Sequence, residues 1–139
     1  MGTRADFYMG RGKDAAWLGS IAWDGYPEGI NESLRVAKDG ETYLTELAAF
    51  FADRKDTTRP TDGWPWPWET SHTTDYAYAF DSGQVYAACF GHYWFEADNP
   101  EPDRDTESKE CEFPDMSDLK NVTMGERSGL MVFSLPSKD

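Results

Sequence analysis

His72 and His92 are the only histidines and Cys89 and Cys111 the only cysteines, so thiol, imidazole or zinc chemistry would have to be built from these four residues. A zinc site draws three or four such ligands to one point, commonly with a closely spaced pair. None of the spacings here has that form, and neither a metal nor a cofactor is expected. Cys89 sits in the apolar run Ala87-Ala88-Cys89-Phe90 and reads as a small core residue. Cys111 lies between Glu110 and Glu112, where like charge disfavours the thiolate and with it nucleophilic attack. A disulfide is not expected in a cytosolic chain. Either histidine could work with Asp75 as an acid–base pair, provided the fold brings them together. The residue types point to a non-enzymatic protein.

The acids are a stronger signal. Of the formal charge of −13, residues 1–31 and 32–60 each contribute −1, while residues 61–95 carry four acids (Asp62, Glu69, Asp75, Asp81) and no base. Residues 96–118 carry ten acids, Glu96, Asp98, Glu101, Asp103, Asp105, Glu107, Glu110, Glu112, Asp115 and Asp118, against Arg104 and Lys109. Such a surface argues against direct nucleic-acid binding, which needs basic groups to displace counterions. It suits the reverse arrangement, an acidic strip in a groove lined by Lys and Arg. Charge density limits that idea. Extended at ~3.3 Å per residue, the stretch carries one net charge per roughly 9 Å, against a phosphate every ~3.4 Å along a DNA strand. Compacted to about 35 Å, the spacing falls to roughly 4 Å. Mimicry therefore requires this stretch to fold back, or to be joined by Asp62, Glu69, Asp75 and Asp81. The same acids imitate a calcium loop from Glu101 to Glu112, but Thr106 stands where the turn needs Gly, and Pro100 and Pro102 spoil the incoming helix.

Trp64-Pro65-Trp66-Pro67-Trp68 is the other candidate. Its prolines favour an extended or polyproline-like edge segment. Its indoles either cap the sheet or form an aromatic anchor for a partner, a base or a proline-rich peptide. Gly10-Arg11-Gly12-Lys13 resembles a phosphate cradle only superficially, because a strand follows it; a hairpin turn is expected.

These residues must be positioned by a few short elements. Two strands are expected over residues 4–10 and 15–23, the second placing Trp17, Gly19, Ile21 and Trp23 on one face and Ala16, Leu18, Ser20 and Ala22 on the other. A loop over 24–29 precedes a short helix to Lys38, interrupted by Asp39-Gly40. Tyr43, Leu44, Leu47, Ala48, Phe50 and Phe51 then recur at helical spacing, ending near Arg54. Residues 55–63 form a polar connection. Tyr76, Tyr78 and Phe80 alternate with Ala77 and Ala79, Asp81-Ser82-Gly83-Gln84 turns, and residues 85–95 return. Residues 97–118, with three prolines, form an acidic loop or excursion, and 130–135 a short closing strand. The expectation is a single α+β domain over 1–139: an antiparallel sheet of four to five strands packed on one or two helices. No apolar run is long enough to span a membrane, and the start has no signal-peptide pattern; a cytoplasmic protein without membrane partners is expected.

Two stretches, Thr3-Arg4-Ala5-Asp6-Phe7-Tyr8 through Trp23-Asp24-Gly25-Tyr26-Pro27, and Gly63-Trp64-Pro65-Trp66-Pro67-Trp68 with Thr74-Asp75-Tyr76-Ala77-Tyr78-Ala79-Phe80, together resemble small acidic phage and prophage proteins without an assigned activity. By analogy of type the resemblance implies an anti-defence inhibitor of the anti-CRISPR kind, acting in the bacterial host cell, monomeric or homodimeric. The expected partner is the basic surface of a host nucleic-acid-binding protein. The ten acids of 96–118 would be the contact, and Trp64, Trp66 and Trp68 the aromatic anchor. The competing expectation is a small-ligand or nucleotide sponge built on the Trp-rich loop with Arg4, Arg11 and Lys13.

Overall fold

A computed structural model describes residues 2–91, 93–98 and 111–116. It is an α+β fold around one mixed sheet. The strands are β1 (Ala5–Met9), β2 (Ala16–Ile21), β3 (Thr57–Thr58), β4 (Tyr76–Asp81), β5 (Gln84–Cys89) and β6 (Phe95–Glu96), in the order β3-β2-β1-β4-β5-β6. The sheet thus has six strands, not four to five. It is not purely antiparallel either: β1 runs parallel to β4 at its centre, and every other neighbour is antiparallel. The parallel pair arises because the chain leaves the β1–β2 hairpin, crosses one face as helices, and re-enters beside β1. β3 lies within the stretch expected to be a polar connection; its two residues pair with Ser20 and Ile21 as an edge. The strand expected at 130–135 lies outside the described residues. No helix among the described residues is long and apolar enough to cross a membrane.

The helices are α1 (Glu32–Arg35) and α2 (Gly40–Ala52). Asp39 separates them by capping the second: its carboxylate accepts from the Thr42 N–H at 2.8 Å. α2 buries Tyr43, Leu47, Phe50 and Phe51 and leaves Leu44 exposed. The buried set meets Phe7, Ile21, Tyr78 and Phe80 from the sheet, with α2 rings in edge and stacked contacts to Phe7 and Phe80 5.5 to 6.1 Å apart.

One feature of β2 departs from simple alternation. The β1–β2 register shifts between Phe7 and Tyr8, opposite Gly19. Gly19 has φ +149°, and a Cβ there would lie 2.6 Å from the Phe51 ring. This bulge reverses the phase of the strand. Trp17 and Ser20 therefore share one face and Leu18 and Ile21 the other, in place of the expected Trp17/Ile21 pairing. Beside the register shift, the Tyr8 carbonyl accepts from the Tyr43 hydroxyl at 3.1 Å.

Candidate functional site

The face of the sheet away from the helices presents Asp6 and Tyr8 from β1, Trp17 and Ser20 from β2, Ala77 and Ala79 from β4 and Ala88 from β5. The alanines of the Tyr-Ala-Tyr-Ala pattern keep this face shallow, and the vacated depth is filled by Trp64, with Trp66, Trp68 and Trp94 at its margin. Trp64 is 6% exposed and meets Trp17 edge-on at 5.0 Å; Trp66 and Trp68 stack at 5.6 Å and stay half-buried. The segment does not run flat with three indoles in a row: Trp64 Nε1 folds back to the Trp68 carbonyl. Trp64 is therefore part of the core and offers no ring to a partner in this structure.

Beneath these rings lies the most unusual group of the fold. Asp6 has no exposed surface. Its Oδ1 accepts from Ser20 Oγ and from Trp66 Nε1, both at 2.6 Å, and its Oδ2 from Ser71 Oγ at 2.6 Å. Ser20 in turn accepts from Trp17 Nε1 at 3.0 Å. Because the single Ser71 proton goes to Asp6, the Tyr8 hydroxyl, 2.6 Å from Ser71 Oγ, is the donor in that pair. Burial pushes the Asp6 carboxyl above the usual range, opposed by hydrogen bonds from Ser20, Ser71, Trp66 and Thr74. Burial likewise pushes the Tyr8 phenol far up, with the Asp6 charge adding to it. Asp6 was not anticipated as a special residue. The signal was present, a lone acid between Ala5 and Phe7 inside an apolar strand, but nothing in one sequence shows which donors surround it.

At the start of β1 the same face opens to solvent. Asp75 Oδ2 accepts from the Arg4 backbone N–H at 2.9 Å and from Arg4 Nη1 at 3.4 Å. The Arg4 guanidinium lies 5.7 Å from the Trp66 ring and 5.4 Å from the Trp68 ring, within cation–π range of both. Asp75 is thus the partner of Arg4, and among the described residues it pairs with no histidine. His72 Nε2 is bonded to the Cys111 carbonyl at 2.9 Å, and its ring meets Phe113 edge-on. His92 lies outside the described residues. Arg11 is equally engaged, bonding Asp81 at 2.9 Å and covering the Tyr86 ring at 3.9 Å, so the Gly-Arg-Gly-Lys segment is the β1–β2 turn and braces the next hairpin.

Of the expected acidic contact, Glu96, Asp98, Glu112 and Asp115 are exposed. Glu101, Asp103, Asp105, Glu107, Glu110 and Asp118 lie outside the described residues. Asp98 pairs with Arg35 at 3.7 Å. Residues 111–116 form a loop seated on the Trp face: Cys111, Phe113 and Met116 are buried there, Cys111 N–H bonds Gly91 O at 3.0 Å, and Met116 N–H bonds Glu69 O at 2.7 Å. The apolar residues interleaved with the acids were the signal for this seat. Glu69 is thereby brought beside Asp115–Met116, whereas Asp75 and Asp81 are taken up in ion pairs with Arg4 and Arg11. Among the described residues, no three His, Cys, Asp or Glu side chains converge on a point that could hold a metal ion. Compared with known protein families, with curated proteins and with solved structures, the chain matches none of them.

Proposed function

We propose that this chain is a non-enzymatic binding protein that presents its acidic half, residues 61–118, to the basic surface of a nucleic-acid-handling protein. The observation that supports this reading is the placement of the acids. Between 61 and 118 the described acids Asp62, Glu69, Glu96, Asp98, Glu112 and Asp115 are exposed, and the fold seats the chain on both sides of residues 99–110: Asp98 against Arg35, and Cys111 against Gly91. Residues 99–110 themselves add five acids and two bases. Glu69 joining Asp115 supplies part of the compaction that imitation of a phosphate strand demands. Carboxylates paired with Arg and Lys on the partner would occlude its nucleic-acid groove, with steering that weakens as salt rises. Following the resemblance to small phage proteins, the partner is a component of a bacterial nucleic-acid-handling or defence complex.

The test is capture from bacterial lysate by the tagged full chain, at about 50 and about 500 mM salt, with duplex DNA as competitor. A variant carrying Glu69→Gln, Glu112→Gln and Asp115→Asn, and another with the five acids of 99–110 neutralised, run beside it. The expected result is a nucleic-acid-binding protein that is displaced by DNA, released at high salt and lost in at least one variant. Capture that is indifferent to salt, to DNA and to both variants would overturn the reading, as would no capture at all.

A further inference from the structure

Three strand ends meet at one end of the sheet. Gly2, Thr3 and Arg4 enter β1, Asp75 and Tyr76 enter β4, and Cys89 and Phe90 leave β5; together they line a cavity of about 390 Å³. That is within the range of small-molecule sites. Its charged groups are one base and one acid, already beside each other. Both hydrogen bonds to the Asp75 carboxylate fall on Oδ2, and the Arg4 side chain uses only Nη1. Among the described residues Asp75 Oδ1 and Arg4 Nε and Nη2 have no partner. The cation–π contacts to Trp66 and Trp68 and the bond to Asp75 hold the guanidinium in place and leave these donors available.

The apolar wall is Phe90, and its backbone is the second observation. Phe90 has φ +51° and Gly91 after it φ +68°. A bulky aromatic in the left-handed region is strained, and such strain concentrates where the surroundings serve function. Burial does not explain it, since Phe90 is 53% exposed. The backbone is nevertheless fixed: the Phe90 N–H bonds the Asp75 carbonyl at 3.0 Å, and a Cβ on Gly91 would lie 3.0 Å from His72. The chain holds an aromatic ring in solvent, next to a charge pair, in a conformation that Gly would adopt more readily.

We propose that this cavity binds a small zwitterion with an apolar side chain, the form of an aromatic α-amino acid, its carboxylate on Arg4, its ammonium on Asp75 and its ring against Phe90. A simple anion would meet the Asp75 carboxylate and the field of a chain at −13, and a simple cation would meet Arg4. A ligand carrying both charges on adjacent atoms satisfies both groups, and oxyanion recognition by a held guanidinium is directional. This site is separate from the acidic contact proposed above and does not depend on it.

The full chain is titrated with L-phenylalanine, with 3-phenylpropionate (no ammonium) and with phenethylamine (no carboxylate), followed by calorimetry and by NMR shifts of the indole N–H groups. The expected result is saturable binding of L-phenylalanine, with each truncated analogue weaker by at least about tenfold. Arg4→Gln and Asp75→Asn should each produce a similar loss. Phe90→Gly removes the ring while suiting the left-handed backbone, so it keeps the fold and should still lose several-fold in affinity. No saturation by about 10 mM L-phenylalanine, equal binding of either analogue, or unchanged affinity in Phe90→Gly would each overturn the proposal.

Discussion

The two faces of the sheet are built on different physics although they share the same strands. On the helix face, Phe7 meets Phe50, Phe51 and Tyr78 in ring contacts, and stability there follows apolar area and volume. On the opposite face, one residue away in β1, Asp6 gathers donors from Ser20, Ser71 and Trp66 under a roof of indoles. An apolar contact fails gradually as atoms are removed. A buried polar network fails abruptly, because each donor that loses its acceptor retains its full desolvation cost. Of the two faces, the Trp face is the more specific and the less tolerant of substitution.

Neighbouring substitutions in β1 should separate the two behaviours most sharply. Asp6→Ala leaves the buried Ser20 and Ser71 hydroxyls and the half-buried Trp66 indole without an acceptor and is expected to cost about 4 kcal/mol or more in chemical unfolding. Phe7→Leu, on the other face of the same strand, is expected to cost only about 1–2 kcal/mol. Equal losses would mean that the network adds nothing beyond volume.

Asp56 offers an intermediate case outside both faces. It receives the Ala22 and Trp23 N–H groups at 2.9 Å and Arg54 at 2.7 Å, and so fixes the exit of β2. Asp56→Ala is expected to cost about 2 kcal/mol by thermal unfolding, between the two β1 substitutions.

The same pair of acids differs in pH response. Burial raises the Asp6 carboxyl, so between the usual carboxylate value and its raised one the folded chain holds a proton that the unfolded chain has lost; this contribution to stability is present at low pH and declines as pH rises through that window. For Asp56, burial pushes up, but the Arg54 bond and the two backbone N–H groups outweigh it and hold the carboxyl below the usual range. Its contribution is present above that range and is lost on acidification. Unfolding measured across the acidic range should show Asp6→Asn removing the first slope and Asp56→Asn the second.

The smallest expected effect has the opposite sign. Phe90→Gly relieves a left-handed backbone at a largely exposed ring and should raise stability by up to about 1 kcal/mol, read as a small rise in melting temperature. A gain in stability accompanied by a loss of ligand would mark Phe90 as held there for binding.

Much of the frame was legible from local pattern. The helix over 40–52, the β4–β5 hairpin and the core position of Cys89 follow from periodicity and turn chemistry acting within a few residues, whereas the burial of Cys111 does not. The errors share a cause, since each depended on partners distant in the chain. The phase of β2 turned on one bulge at Gly19, set by the Phe51 ring behind it. The parallel β1–β4 pair joins residues about 70 apart in the chain, which no hairpin signal encodes. Between the two roles the sequence left open for the Trp run, the fold seats Trp64 in the core, because alanines on three positions of the sheet leave room for it.

What the sequence determined alone is therefore the inventory: the clustering of charge between 61 and 118, the amphipathic α2, the alternating hairpin and a Pro-spaced run of tryptophans. Tertiary structure decided what those residues do. It turned Asp6 into the hub of a buried network, set Arg4 against Asp75 and two indoles, drew Glu69 beside Asp115, and packed Phe113 of residues 111–116 against Trp94. The physical reason is range. Propensity and periodicity act over a turn or a strand pair, whereas burial, desolvation and hydrogen-bond satisfaction are properties of a place in space that distant segments of the chain create together.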